Sequence, residues 1–142
     1  MAIVNYSGFQ KEYVEKVTFT YADLTSGSAV PLLNLPANAF VLDILLRINT
    51  AWNSQTSDAI IIQNNEGTPK QFISITAGSG ALSAGLVSKA ATGATTNLGY
   101  VNPVSSTIDA KWTKVGNAPT TGTATLIVTY LVDDRKNFYQ EY

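Results

Sequence analysis

The chain contains 142 residues, of which 45% are hydrophobic and 13% are charged, and its formal net charge is −1. A chain of this length normally forms one domain, and its apolar content is sufficient for a hydrophobic core, which argues against disorder. The near-neutral charge and the absence of a Lys/Arg run argue against direct DNA or RNA binding, because phosphate neutralisation needs several clustered cations.

Uncharged polar residues dominate the polar part of the composition. The charged fraction is well below the roughly 25% of an average soluble domain, and Thr, Ser, Asn and Gly make up the difference. Such a surface costs less to desolvate than a charged one, which suits burial against partner subunits. The alternative is that Thr-rich strands are simply common in β proteins.

The chain contains neither Cys nor His. This excludes disulfides, thiol or imidazole catalysis, and any metal site built on those ligands, so no cofactor is expected. The N-terminus lacks the basic and apolar regions of a signal peptide. The longest apolar segment, residues 39–48, contains Asp43 and Arg47 and is far shorter than the roughly 20 residues of a membrane helix. A soluble protein made in the cytoplasm, with no membrane partner, is therefore expected.

The first twelve residues show no strand-like alternation, yet they are rich in apolar and aromatic side chains. This composition predicts an N-terminal arm, residues 1–12, that lies on a neighbouring subunit. The alternative is an arm that packs along its own domain or frays. The candidate contact residues of the arm are Ile3, Val4, Tyr6 and Phe9.

Alternation with a period of two begins at residues 16–21 and returns at residues 40–49. In the second segment every even position is apolar, whereas the polar residues occupy odd positions. The pattern predicts a strand whose even-numbered side chains, Phe40 and Leu42 among them, face the core.

Shorter strands are predicted at residues 58–63, 71–76 and 98–101, separated by turns rich in Gly, Asn and Pro. Residues 81–91 have a weak helical spacing that Gly85 interrupts, so an irregular segment or a weak strand is expected there.

Two long alternating segments follow. In the first, Ile108, Ala110 and Trp112 face one side and polar residues face the other. In residues 124–132 both faces are fairly apolar, which is typical of a central strand or of one that a partner covers. Regularly spaced strands and turns predict an all-β domain, a sandwich or a barrel, over residues 13–133.

The last nine residues, 134–142, concentrate charged and aromatic side chains. Aromatic residues in a polar tail often anchor contacts, so Phe138, Tyr139 and Tyr142 are further candidate contact residues. The alternative is a solvated end with nothing attached.

Few residues suggest catalysis. Without His, a glycosidase-like pair of carboxylates is the remaining enzymatic hypothesis, although isolated acids on strands are usually solvated or ion-paired. The candidates are Asp23, Asp43, Asp58, Glu66, Asp109, Asp133 and Asp134, of which Asp43, Asp58 and Asp109 are the first to test. Trp112 continues the apolar side of a strand and is expected in the core. Trp52 lies at a strand end, where a half-buried ring could stack on a sugar or a partner.

Four stretches, in order along the chain, resemble the capsid cement or decoration proteins of tailed bacteriophages. They are VTFTYADLT (17–25), LPANAFVL (35–42), INTAWN (48–53) and PTTGTATLIVTY (119–130). Residues 64–102 match nothing in that family. The resemblance implies a jelly-roll-like antiparallel β-sandwich of about eight strands, with extended N- and C-terminal tails.

The resemblance also implies a non-enzymatic virion protein on the capsid surface, assembled in the host cytoplasm. Its partners would be the major capsid protein, which it bridges, and further copies of itself in a homodimer or homotrimer. The alternative function is a carbohydrate- or receptor-binding module of a phage fibre or tail, in which Trp52 would contact the ligand.

Overall fold

The computed structural model describes residues 11–54, 56–78, 82–89 and 97–132. The strands are β1 (Tyr13–Thr20), β2 (Ala29–Leu35), β3 (Ala39–Thr50), β4 (Ser57–Asn64), β5 (Gln71–Gly78), β6 (Val87–Lys89), β7 (Ser106–Val115) and β8 (Thr123–Val132). A 3-10 turn, Tyr21–Asp23, follows β1. The backbone N–H of Thr20, the residue before the turn, donates to the Asp23 carboxylate. The described residues contain no α-helix.

The strands form two four-stranded antiparallel sheets. Sheet A has the order β1-β8-β3-β6 and sheet B the order β2-β7-β4-β5. Consecutive strands therefore alternate between the sheets for most of the chain, which is the strand order of a jelly roll. The all-β sandwich of eight strands that the sequence predicts is confirmed.

The core lies between the two sheets, where both inner faces interdigitate. Sheet A contributes alternate side chains of its two central strands, and sheet B does the same. The fully buried residues are Ile44, Leu46, Ile48, Ile60, Ile62, Leu82, Ile108, Leu126 and Val128. The alternation predicted for β7 and the central position predicted for β8 are both confirmed.

The inner face of β3 changes phase part-way along the strand. Val41 and Ile44 are both buried, although residues three positions apart in a regular strand point to opposite sides. The register with β8 shifts between Val41 and Asp43. A bulge of this kind inserts one extra residue, so the side chains before it point the opposite way from those after it. The prediction that Phe40 and Leu42 face the core with the other even positions is therefore wrong; both are only partly buried.

Two other segments differ from the sequence prediction. No strand was predicted at β2, because Pro31 and a bulge between Pro31 and Leu33 interrupt its alternation. Residues 98–101 form a turn with one isolated bridge, between Val101 and Phe40, rather than a strand. The weak strand expected in residues 81–91 is present as β6.

The backbone of Gly122 lies directly against the indole of Trp52. Gly122 has φ +149°, and a Cβ placed there would lie 2.6 Å from Cδ2 of Trp52. The other neighbour of the ring is Phe19, with ring centroids 6.4 Å apart. Only glycine allows this approach, because any side chain would displace a core aromatic residue.

Replacing Gly122 by Ala is expected to lower the free energy of unfolding by about 2–4 kcal/mol, through overlap with Trp52 and backbone strain. Denaturant unfolding measures this change. Gly67→Ala is the control, since a Cβ there meets nothing within 4 Å and the cost should stay within about 0.5 kcal/mol. Equal stabilities for the two variants would show that the Gly122–Trp52 contact is unimportant.

Candidate interaction surface

Both termini of the described sandwich lie at the same end. In sheet A, Tyr13 at the start of β1 pairs with Tyr130, and Val132 at the end of β8 pairs with Ala39. We call this the tail end, because residues 1–10 and 133–142 connect to it. The opposite end, where β1 and β7 finish and β8 begins, is the far end.

Most of the contact residues predicted from the sequence lie outside the described residues. These are Ile3, Val4, Tyr6 and Phe9 of the arm and Phe138, Tyr139 and Tyr142 of the C-terminal tail. Their roles stay predictions. In the fold, the two tails connect to β1 and β8, which are adjacent strands of sheet A.

An aromatic cluster occupies the corner of sheet A at the tail end. The rings of Tyr13 and Tyr130 stack with centroids 5.5 Å apart, and the ammonium of Lys11 lies 5.7 Å from the Tyr13 centroid. The Tyr130 hydroxyl donates to Glu15 Oε1 at 3.2 Å. Burial and the negative charge of Glu15 raise the pKa of Tyr130.

A second cluster at the tail end ties loop 65–70 to the segment before β7. The Tyr100 hydroxyl donates to Glu66 Oε1 at 2.6 Å, and this hydrogen bond raises the pKa of Tyr100. Lys70 lies 5.2 Å from the Tyr100 ring centroid, and Asn64 accepts the backbone N–H of Lys70 at 2.8 Å. Sequence reasoning missed this cluster, because Glu66 lies in a predicted turn and Tyr100 in a separate predicted strand, and their contact joins segments that are distant in the sequence.

The outer side of sheet A combines threonine with apolar and basic side chains. Thr18 and Thr125 share a hydroxyl hydrogen bond of 3.0 Å, and Asn49 donates to Thr125 at 2.8 Å. The register aligns three rows across the sheet, which are Val14–Thr129–Asp43, Lys16–Ile127–Leu45–Lys89 and Thr18–Thr125–Arg47–Val87. The outer side is thus weakly cationic and has a partly apolar centre, which suits contact with another protein.

Exposed large apolar side chains concentrate on the edges of sheet A. Tyr13 and Val14 of β1 are 43% and 63% exposed, and Val87 of β6 is 50% exposed. Val104, at the tail end, is 62% exposed, whereas Val115 marks the far end at 51%. Sequence reasoning missed Tyr13 and Val14, because they precede the first clearly alternating segment.

Trp52 does not lie at the surface. Its side chain is 6% exposed, packed between Gly122 and Phe19, so the half-buried position predicted from the sequence is wrong. The cause is the loop before β8, whose backbone covers the ring. The contact role predicted for Trp52 is untested, and the burial of its ring gives that role no support.

Two of the acidic residues suggested for catalysis, Asp58 and Asp109, are held apart by the sandwich. Asp58 is buried, and its Oδ1 accepts the Trp112 indole N–H and the Ser54 hydroxyl, both at 2.7 Å. Asp109 pairs with Gln63, five positions along β4 from Asp58. At about 3.3 Å per residue the two acids are roughly 17 Å apart, too far for a glycosidase pair at about 5–9.5 Å. The hypothesis that these two acids work together is wrong.

The described residues contain no group of three acidic side chains placed to hold a metal ion. In the same part of the chain, no helix has the length and apolar character needed to cross a membrane.

No protein-family model matches the chain, and no curated protein is significantly similar to it in sequence. Solved structures with the same fold do exist. A chain of the Cyanophage Pam1 capsid asymmetric unit is similar with a TM-score of 0.66 and 19% identity, covering 93% of each chain. A chain of the acidic stable capsid of Helicobacter pylori bacteriophage KHP30 gives 0.63 and 16%, covering 85% of this chain and 87% of that one.

A chain of the capsid of Ralstonia phage GP4 is similar with a TM-score of 0.54 and 16% identity, covering 92% of this chain and 89% of that one. At these identities the likeness shows a shared fold. It extends over nearly the whole length of each pair of chains.

Trp112→Phe is expected to lower the free energy of unfolding by about 1–3 kcal/mol more than Trp52→Phe, because it removes a hydrogen bond to the buried Asp58. The two substitutions remove the same volume, and the indole N–H of Trp52 has no partner among the described residues. Denaturant unfolding of both variants gives the comparison. Equal losses would contradict the structural role of the Trp112–Asp58 bond.

The raised pKa of Tyr130 predicts a loss of stability at high pH. The folded protein holds this phenolic proton more tightly than the unfolded chain, so the contribution is complete below about pH 10 and disappears as the pH rises through the folded pKa. The free energy of unfolding should therefore fall as the pH rises above about 10, and it should fall less in Tyr130→Phe. An identical fall in both proteins would count against the prediction.

Proposed function

We propose that this chain is a structural protein of a bacteriophage virion that binds the outside of the capsid as a cement or decoration protein. The observation that carries the proposal is the fold, which matches chains in three phage capsid structures over 85–93% of this chain and 87–93% of those chains. The jelly roll accounts for almost the entire length of each neighbour. The short stretches that resemble cement proteins support the same assignment.

The tail end is the side that faces the shell in this proposal. The predicted arm (1–12) leads into β1 and the predicted C-terminal tail (134–142) follows β8, and these two strands are neighbours in sheet A. Contact segments attached to adjacent strands at one end of the sandwich suit a copy seated at the junction of two major capsid proteins. The apolar residues Ile3, Val4, Tyr6 and Phe9 would anchor the arm.

The composition of the surface supports such a contact. The outer side of sheet A has a centre of threonine and aliphatic side chains, and its charged residues are mainly basic. A modest contact repeated over many copies stabilises a shell, because each copy adds its own binding free energy. The proposed partners are the major capsid protein and other copies of this chain, in a homodimer or homotrimer, with no nucleic acid and no membrane. The protein acts without catalysis and reaches the capsid surface after assembly in the host cytoplasm.

The alternative function is a carbohydrate- or receptor-binding module of a phage fibre or tail. Its candidate ligand contact was Trp52, and the burial of that ring removes the observation in its favour.

Removal of residues 1–9 is expected to weaken binding to undecorated capsid shells by about tenfold or more, because several apolar anchors are lost together. Co-sedimentation of purified protein with shells, over a range of concentrations, gives the affinity. Circular dichroism verifies that the shortened chain keeps its sheets.

The matched control is Val115→Ser, which alters an exposed apolar residue at the far end and should leave shell binding unchanged. Full binding by the shortened chain would refute the role of the arm. Failure of the intact protein to bind shells at all would refute the proposed function itself.

A further inference from the structure

The four edge strands of the sandwich differ in how well they could accept another strand. β2 carries Pro31 and a bulge, β5 has two register shifts against β4, and β6 is three residues long. Proline, bulges and shortness are the usual protections of an exposed edge. By contrast, β1 pairs with β8 in unbroken register over eight residues, and among the described residues no other strand pairs with β1.

The sequence from the residue before β1 to its fourth position is self-complementary. Glu12, Tyr13, Val14, Glu15 and Lys16 follow one another. If two copies of this strand run antiparallel about a two-fold axis at Val14, Glu12 of each copy lies opposite Lys16 of the other. The two ion pairs flank a central pair of Val14 side chains, which are 63% exposed in the isolated chain. Opposite charges directly across a strand pair stabilise it, and like charges destabilise it.

Other positions of the axis are less favourable. An axis at Tyr13 would set Lys11 opposite Glu15, but Glu15 already accepts the Tyr130 hydroxyl, Lys11 already lies over the Tyr13 ring, and Glu12 would face Val14.

Rotation about a two-fold axis perpendicular to the sheet does not exchange the inner and outer sides of the sheet. The residue on the axis therefore pairs with the same residue of the other copy. An axis at Glu15 or at Lys16 would set like charges opposite each other. An axis at Val17 would set Glu15 opposite Phe19 and leave the charges uncompensated.

We propose that two copies of this chain associate through β1, antiparallel and centred on Val14, to join the two A sheets into one eight-stranded sheet. Tyr13 of one copy then lies beside Glu15 of the other, next to the Tyr130 hydroxyl that already donates to its own Glu15. The contact is isologous and closes as a dimer. This inference deepens the self-association in the proposed function and is independent of capsid binding.

A disulfide across the axis is the direct test. The chain has no cysteine, so Val14→Cys introduces a single thiol. Either type of antiparallel pair brings opposing Cα atoms to about 4.5–5.5 Å, within the range that a disulfide spans. Mild oxidation of dilute protein should convert nearly all of this variant to a covalent dimer. Val104→Cys, with 62% exposure in place of 63%, is the control and should remain largely monomeric on a denaturing gel.

A charge exchange tests the register separately. Glu12→Lys and Lys16→Glu should each weaken the dimer about tenfold in sedimentation equilibrium, because attractive pairs become repulsive. The double variant, E12K with K16E, should recover the affinity of the original chain. All variants are compared by circular dichroism, so that loss of the fold is distinguished from loss of association.

A monomer or a trimer as the principal species of the original chain would overturn the proposal, as would a double variant no tighter than the single ones. Equal crosslinking at positions 14 and 104 would overturn it too. These measurements use purified protein without shells. Their failure therefore leaves the capsid-binding experiment unaffected, and a dimer that ignores shells would refute only the proposed function.

Discussion

The packing of the inner side of sheet A on the inner side of sheet B is the interaction on which the rest of the molecule depends. Alternate residues of β3 and β8 meet alternate residues of β4 and β7, and the side chains at the centre are removed from solvent. Each such aliphatic residue contributes roughly 1.5–3 kcal/mol on burial. Because this layer requires both sheets at once, we expect no strand pair of the sandwich to be stable alone.

The groups that would ordinarily suggest chemistry serve this packing. The indole of Trp112 and the hydroxyl of Ser54 satisfy the buried carboxyl group of Asp58, which would otherwise be costly to bury. The backbone of Gly122 covers the ring of Trp52. Polar side chains at the ends have a similar role, since Asn53 Oδ1 accepts the N–H groups of Thr120 and Thr121 and so fixes the loop at the far end.

Because the buried side chains stabilise the fold, the exposed edges and ends of the sandwich are the parts available to bind other proteins. The tail end carries both chain attachments, the Tyr13–Tyr130 stack and the Tyr100–Glu66 bond on a rigid framework. One edge of the same sheet is regular and exposed, whereas the others are interrupted or short. In the proposed function the tails contact the shell, and in the proposed dimer the start of β1, at the same end, pairs with a second copy.

The sequence by itself determined the strands with uninterrupted alternation, such as β7 and β8, because the period of two is a local property that burial of one side enforces. Only the tertiary structure decided where that period breaks. The bulge near Val41 reverses the sides of Phe40 and Leu42, and its position depends on the register with β8, about ninety residues further along the chain.

The same distinction applies to the candidate surface. The composition of the tails is visible in the sequence. That both tails connect to the same end of the sandwich follows from the antiparallel pairing of β1 with β8. The burial of Trp52 follows from a glycine seventy positions away. Side-chain alternation is a property of neighbouring residues. The strand register, the burial of Trp52 and the common position of the two tails arise from contacts between distant segments, which form only when the two sheets pack together.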